Sequence, residues 1–162
     1  MKKRIIAAIF SAILVLAISV TMPRGQAVAV GTDNVITASG AGVFPAGANV
    51  SSIELAGGTF GVGVQSSSTG SAIGEFEVQY NGTSLIGLSQ WITVSGWITS
   101  ATVNPDGSVT LNGTGTLDMG DGTAPTGGLT LVATLSAAGL ALSVGSLTFP
   151  TLPKSDGWFI VE

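Results

Sequence analysis

Between Val109 and Asp118 the side chains alternate without a break. Val109, Leu111, Gly113, Gly115 and Leu117 fall on one side, and Thr110, Asn112, Thr114, Thr116 and Asp118 on the other. Period two puts successive side chains on opposite faces of an extended chain, so the segment reads as a half-buried antiparallel strand. The preceding Asn104-Pro105-Asp106-Gly107-Ser108 has the chemistry of a turn. Pro105 presets φ, Asp106 bonds back to local backbone, and Gly107 takes the left-handed position. Together they predict a hairpin joining Ile92–Val103 to the Val109 strand.

Weaker versions of the pattern recur along the chain. Val35–Val43 and Ile53–Gln65 read as strands, the second interrupted by Gly57-Gly58, Gly61 and Gly63, which signal bulges or close packing. Ile73–Tyr80 runs into Asn81-Gly82, read as a hairpin turn of the primed type, with Leu85 to Leu88 resuming beyond it. Leu129, Leu131, Ala133 and Leu135 alternate with Thr130, Val132 and Thr134; Ala138-Gly139 then turns into Leu140–Leu147, and Trp158–Val161 completes the set. Ser66–Ser71 and Met119–Gly128 read as loops. About eight or nine short strands predict an all-β fold, an antiparallel β-sandwich or a small β-barrel.

The N-terminus carries a different pattern. Met1-Lys2-Lys3-Arg4 is a compact positive cluster, followed by an apolar run from Ile5 to Val20 that is short for a membrane span. Pro23 and Gly25 break any helix there, and Ala27-Val28-Ala29 supplies small residues for cleavage after Ala29, with a second site after Ala27. Residues 1–29 are therefore expected to be a signal-peptide helix, and residues 30–162 a single all-β domain secreted by a bacterium.

The run Trp97 to Asp118, with Val94-Ser95-Gly96 before it, Ala101-Thr102-Val103 in its middle and Asn112-Gly113-Thr114-Gly115-Thr116 near its end, resembles the central hairpin of the post-COAP type domain. Leu129–Leu135 and Asp156-Gly157-Trp158-Phe159-Ile160 follow in similar order. The His and charged residues usual in that family before the hairpin are missing here. The resemblance implies a small all-β module of secreted bacterial proteins; it implies no particular activity.

Removing the export segment changes the charge. The chain holds five Lys plus Arg and nine Asp plus Glu, with no His and no Cys. Lys2, Lys3, Arg4 and Arg24 lie in the N-terminal stretch, so Lys154 alone faces nine carboxylates, a net charge of one minus nine, or −8. One cation does not neutralise a row of phosphates, which argues against nucleic acid, and against anionic lipid headgroups for the same reason. No second apolar stretch reaches spanning length, so no membrane contact is expected after cleavage. Without imidazole or thiol, the usual general base, the thiolate nucleophile and the commonest transition-metal ligands are missing. No catalytic residue and no cofactor are assigned. The 45% hydrophobic content is enough for a folded core, while only 9% of residues are charged.

Candidate chemistry is correspondingly sparse. Trp91, Thr93, Ser95 and Trp97 share one strand face and Ile92, Val94 and Ile98 the other. If exposed, Trp91 and Trp97 form a platform for a glycan or a surface partner; the expectation is instead that both faces are covered and each indole packs under a loop. Asp118 and Asp121 sit in a Gly-rich loop suited to weak calcium binding, yet lack the third acid and closing Glu of a helix–loop–helix site. Glu75 and Glu77 point to one side of their strand and read as a solvated face. Asn49-Val50-Ser51, Asn81-Gly82-Thr83 and Asn112-Gly113-Thr114 fit the glycosylation pattern but serve turns or bulges equally well. Leu152-Pro153-Lys154-Ser155-Asp156 is similar to a sortase signal without its Thr and Gly, and Lys154 has no Ser at a spacing suited to a base.

Two classes of function follow. The first is a secreted, non-enzymatic surface or matrix module that binds an extracellular partner. The alternatives are a carboxylate-only enzyme, such as a glycosidase using Glu75, Glu77 or Glu54, and a calcium-stabilised adhesion module. An eight-stranded outer-membrane barrel ranks below both, because ten aromatics in the whole chain are thin for its girdles.

Overall fold

Alternation at period two extends through nearly every described segment. The computed structural model describes residues 33–162, and the expected signal peptide, residues 1–29, lies outside them. Eight strands of useful length form: β1 (Asn34–Val43), β3 (Ile53–Ser66), β4 (Ser71–Ser84), β5 (Ser89–Val103), β6 (Val109–Asp118), β7 (Thr126–Ser136), β8 (Gly139–Val144) and β11 (Asp156–Val161). Three two-residue strands, β2 (Asn49–Val50), β9 (Leu147–Thr148) and β10 (Leu152–Pro153), complete the set. All pair antiparallel in one sheet, in the order β10-β8-β7-β6-β5-β4-β3-β1-β11. The sheet is strongly curled into a half-barrel, so the all-β expectation holds while the two stacked sheets of a sandwich are not seen.

Curling puts one face of every strand inside. Ile36, Val78, Ile92, Val94, Ile98, Val109, Leu111, Leu131, Ala133 and Leu140 are all fully buried. Their neighbours in sequence face outwards, as the alternation demands. Tyr80 sits among them, stacked on Phe149 with ring centroids 4.9 Å apart and tilted against Phe44 at 5.7 Å.

The two edges of the sheet meet at a short C-terminal strap. β10 pairs with β8, β11 pairs with β1, and only Lys154 and Ser155 separate them. The Lys154 amide donates to the Ala138 carbonyl (3.0 Å) and the Ser155 amide to that of Ala41 (2.9 Å). So close a seam leaves no room for side chains. A Cβ on Gly42 would lie 1.7 Å from the Pro153 carbonyl oxygen, and one on Gly157 would lie 2.1 Å from that of Ser39.

The β5–β6 hairpin forms as its sequence predicts. Val103 pairs with Val109, and Gly107 takes φ 80°. The Asp106 carboxylate accepts from both the amide and the hydroxyl of Ser108 (3.0 and 2.7 Å). Asn81-Gly82, by contrast, is not a turn. Both residues lie within β4 and stay paired on both sides, Asn81 between Gly57 and Trp91, Gly82 between Leu55 and Gln90. Gly82 is needed for a close approach: a Cβ there would lie 2.6 Å from the Glu54 carbonyl oxygen, beside the bulge at Leu55/Gly57. The chain turns instead at Leu85–Gly87, the segment expected to resume the strand.

Candidate functional site

The outward face of the sheet carries the residues singled out in the sequence. Cross-strand register sets them in rows. One row runs Thr37, Gly63, Glu75, Trp97, Thr114, Thr130, and the next runs Ser39, Gly61, Glu77, Ser95, Thr116. Residues directly opposite on one face have Cβ atoms about 5 Å apart. Glu75 therefore stands beside Trp97, and Glu77 beside Ser95.

Trp97 is 48% exposed and Trp91 56% exposed. Neither is packed under a loop, which overturns the expectation of a doubly covered strand. The physical reason is the single sheet: with no second layer on the outer side, nothing is available to cover an outward indole. Trp158, on the same outer face in β11, is 47% exposed as well.

Beside Trp97 the outer surface hollows into an open groove of about 810 Å³, within the size range of ligand sites. Glu75, Glu77, Ser95, Trp97, Thr114 and Thr116 line it, together with Gly61 and Gly63. Both glycines face outwards, and a Cβ added at either meets nothing within 4 Å. They therefore serve neither a turn nor close packing; their effect is to leave the space beside the two carboxylates empty. Glycine inside a strand weakens it and marks places where a ligand or another backbone comes close. Trp91 does not line this groove, so the platform considered for two exposed indoles is not formed by the pair.

Asp118 and Asp121 are brought near each other in sequence but not into a cage. The Asp118 carboxylate accepts from the Gly120 amide (2.8 Å), and the Asp121 carboxylate accepts from the amide and hydroxyl of Thr123 (2.9 and 2.6 Å). The Thr123 hydroxyl, and then its amide, hold the Asp121 carboxyl below the usual carboxylate range. Among the described residues no three acids gather as a metal site. Lys154, the sole cation among them, donates to the Gly157 carbonyl (3.1 Å) at the strap.

Reasoning from the sequence missed Gly61, Gly63, Ser95, Thr114 and Thr116 as groove residues. The signal was present for the glycines: they alternate with Phe60, Val62 and Val64, which fixes them on the outer face, where a bulge or close packing was expected. The only register shift in β3 falls at Leu55/Gly57. No protein-family model, curated protein or solved structure matches the chain.

Proposed function

We propose that the chain is a secreted, non-enzymatic extracellular module that binds a glycan in the outer groove walled by Trp97. The observation that carries this reading is the pairing of a half-exposed indole with two outward strand glycines that nothing else requires. An indole face takes a sugar ring by stacking while its edge stays wet. Glu75 and Glu77 supply carboxyl oxygens as acceptors for sugar hydroxyls, and Ser95, Thr114 and Thr116 supply groups that both donate and accept. The chemistry suits a ligand rich in hydroxyl donors and free of negative charge. Its secretion follows from the signal-peptide reading of residues 1–29.

Titration calorimetry against a panel of neutral and amino-sugar oligosaccharides tests the reading. Trp97→Ala should weaken binding by about 30-fold, the scale of a central aromatic anchor, while costing only about 1 kcal/mol of stability because the ring is half in water. Gly63→Val should fill the groove and abolish binding with the fold intact. Unchanged affinity in both variants would sink the proposal. A second reading rests on Glu75 and Glu77 lining the same groove: a glycosidase using the two carboxylates. The groove is open and both side chains are exposed, so nothing shields the reacting bond from water. Release of new reducing ends by the wild type, lost in Glu75→Gln or Glu77→Gln, would replace the binding reading.

A further inference from the structure

The β4–β5 hairpin pairs strands of 14 and 15 residues, and ends in Leu85-Ile86-Gly87-Leu88. Leu85 is 83% exposed, Ile86 81% and Leu88 62%, the most concentrated apolar exposure among the described residues. The turn that holds them is well built. Gly87 takes φ 80°, its amide donates to the Ser84 carbonyl (2.9 Å), and the Leu88 amide donates to the Ser84 hydroxyl (3.2 Å). The aliphatic side chains are thus held outwards by a satisfied turn. Trp91, 56% exposed, lies three residues behind Leu88, about 10 Å along an extended strand.

We propose that this hairpin is a docking tip that inserts Leu85, Ile86 and Leu88 into the surface of an uncharged, zwitterionic lipid bilayer, with Trp91 at headgroup level. Three points select this occupant. An apolar tip at the end of a hairpin is convex, and lipid closes round it without a preformed pocket. The spacing from tip to indole matches the depth to which interfacial elements enter the headgroup boundary, and Trp is enriched at that level. The third is charge. The described residues carry nine carboxylates and one Lys, and Asp118 at the end of β6 and Asp121 in the loop after it lie close by, tied to β5 by the Gln90 side chain bonded to the Met119 carbonyl (2.8 Å). Anionic headgroups and a second copy of the chain are both repelled, whereas phosphatidylcholine is not. The sequence-based expectation of no membrane contact after cleavage rested on weak electrostatic attraction and the lack of a spanning stretch; a tip needs neither.

The test places a reporter at the tip. In the exported chain, without residues 1–29, carrying Trp97→Phe and Trp158→Phe, Trp91 is the sole indole. Its emission should shift to the blue with phosphatidylcholine vesicles and be quenched when the acyl chains carry bromine, at low and high salt alike. Leu85→Ser, Ile86→Ser and Leu88→Ser combined should remove quenching, with affinity falling roughly tenfold for each side chain withdrawn. The proposal is overturned by a Trp91 signal that vesicles do not change, by binding that requires anionic lipid and vanishes in salt, or by a tip-dependent dimer in light scattering without vesicle binding.

Discussion

Tyr80 has the one buried side-chain polar atom among the described residues that finds no hydrogen-bond partner. Its ring fills the interior between Phe44 and Phe149, and the orphan hydroxyl opposes that gain. Leaving such a group unpaired costs about 1–3 kcal/mol. Tyr80→Phe should therefore stabilise the fold by about 1 kcal/mol, read as a higher denaturation midpoint with an unchanged slope. Alkali sharpens the test. Burial pushes the Tyr80 phenol well above its usual range. Up to a pH of about 10 the phenol is neutral in both states; above it, the unfolded chain loses the proton that the folded chain retains. Wild-type stability should fall as pH rises from there towards the raised value, and Tyr80→Phe should remove that part of the fall. Tyr80 is the only tyrosine in the chain, so the comparison is clean.

The β5–β6 hairpin shows how far local chemistry reaches. Alternation from Val109 and the Pro105-Asp106-Gly107 turn both point to the same structure, and it forms. Asp106 adds a pH signature. Its hydrogen bond from the Ser108 hydroxyl, then that from the Ser108 amide, hold its carboxyl below the ordinary carboxylate range. The stabilisation this provides is present above a pH of about 4 and is lost as pH falls through the lowered value. Asp106→Ala should lower the melting temperature at neutral pH, and its deficit should shrink on acidification. The misreading of Asn81-Gly82 came from the same kind of reasoning, because an Asn-Gly pair suits a primed turn and also suits a close approach between strands. Only the bulge in the neighbouring strand decides between them, and that is a tertiary fact. The exposure of Trp91 and Trp97 was hidden for a similar reason: alternation fixes which side chains share a face and leaves open whether a second layer covers it.

For the molecule as a whole, closure depends on the strap. Gly157 has φ 107° and sits against the Ser39 carbonyl, so any side chain there both strains the backbone and pushes β11 off β1. Gly157→Val should cost about 3 kcal/mol or more, while Gly63→Val, in open space, should be neutral or stabilising. Hydrogen exchange should show protection lost first along β1 and β11. The strap was not legible beforehand. Leu152-Pro153 is too short to carry a period, and the pairing of Ile36 with Val161 joins residues roughly 125 positions apart.

That separation sets the order in which the chain can assemble. Each neighbouring pair from β3 to β8 is linked by a short connection and can zip progressively. β1 gains its second neighbour only after Asp156–Val161 has been synthesised and has found it. Until then β1 presents a row of unsatisfied amides and carbonyls, the kind of template on which nascent chains pair with one another. Folding yield, more than equilibrium stability, should therefore depend on how quickly β11 arrives.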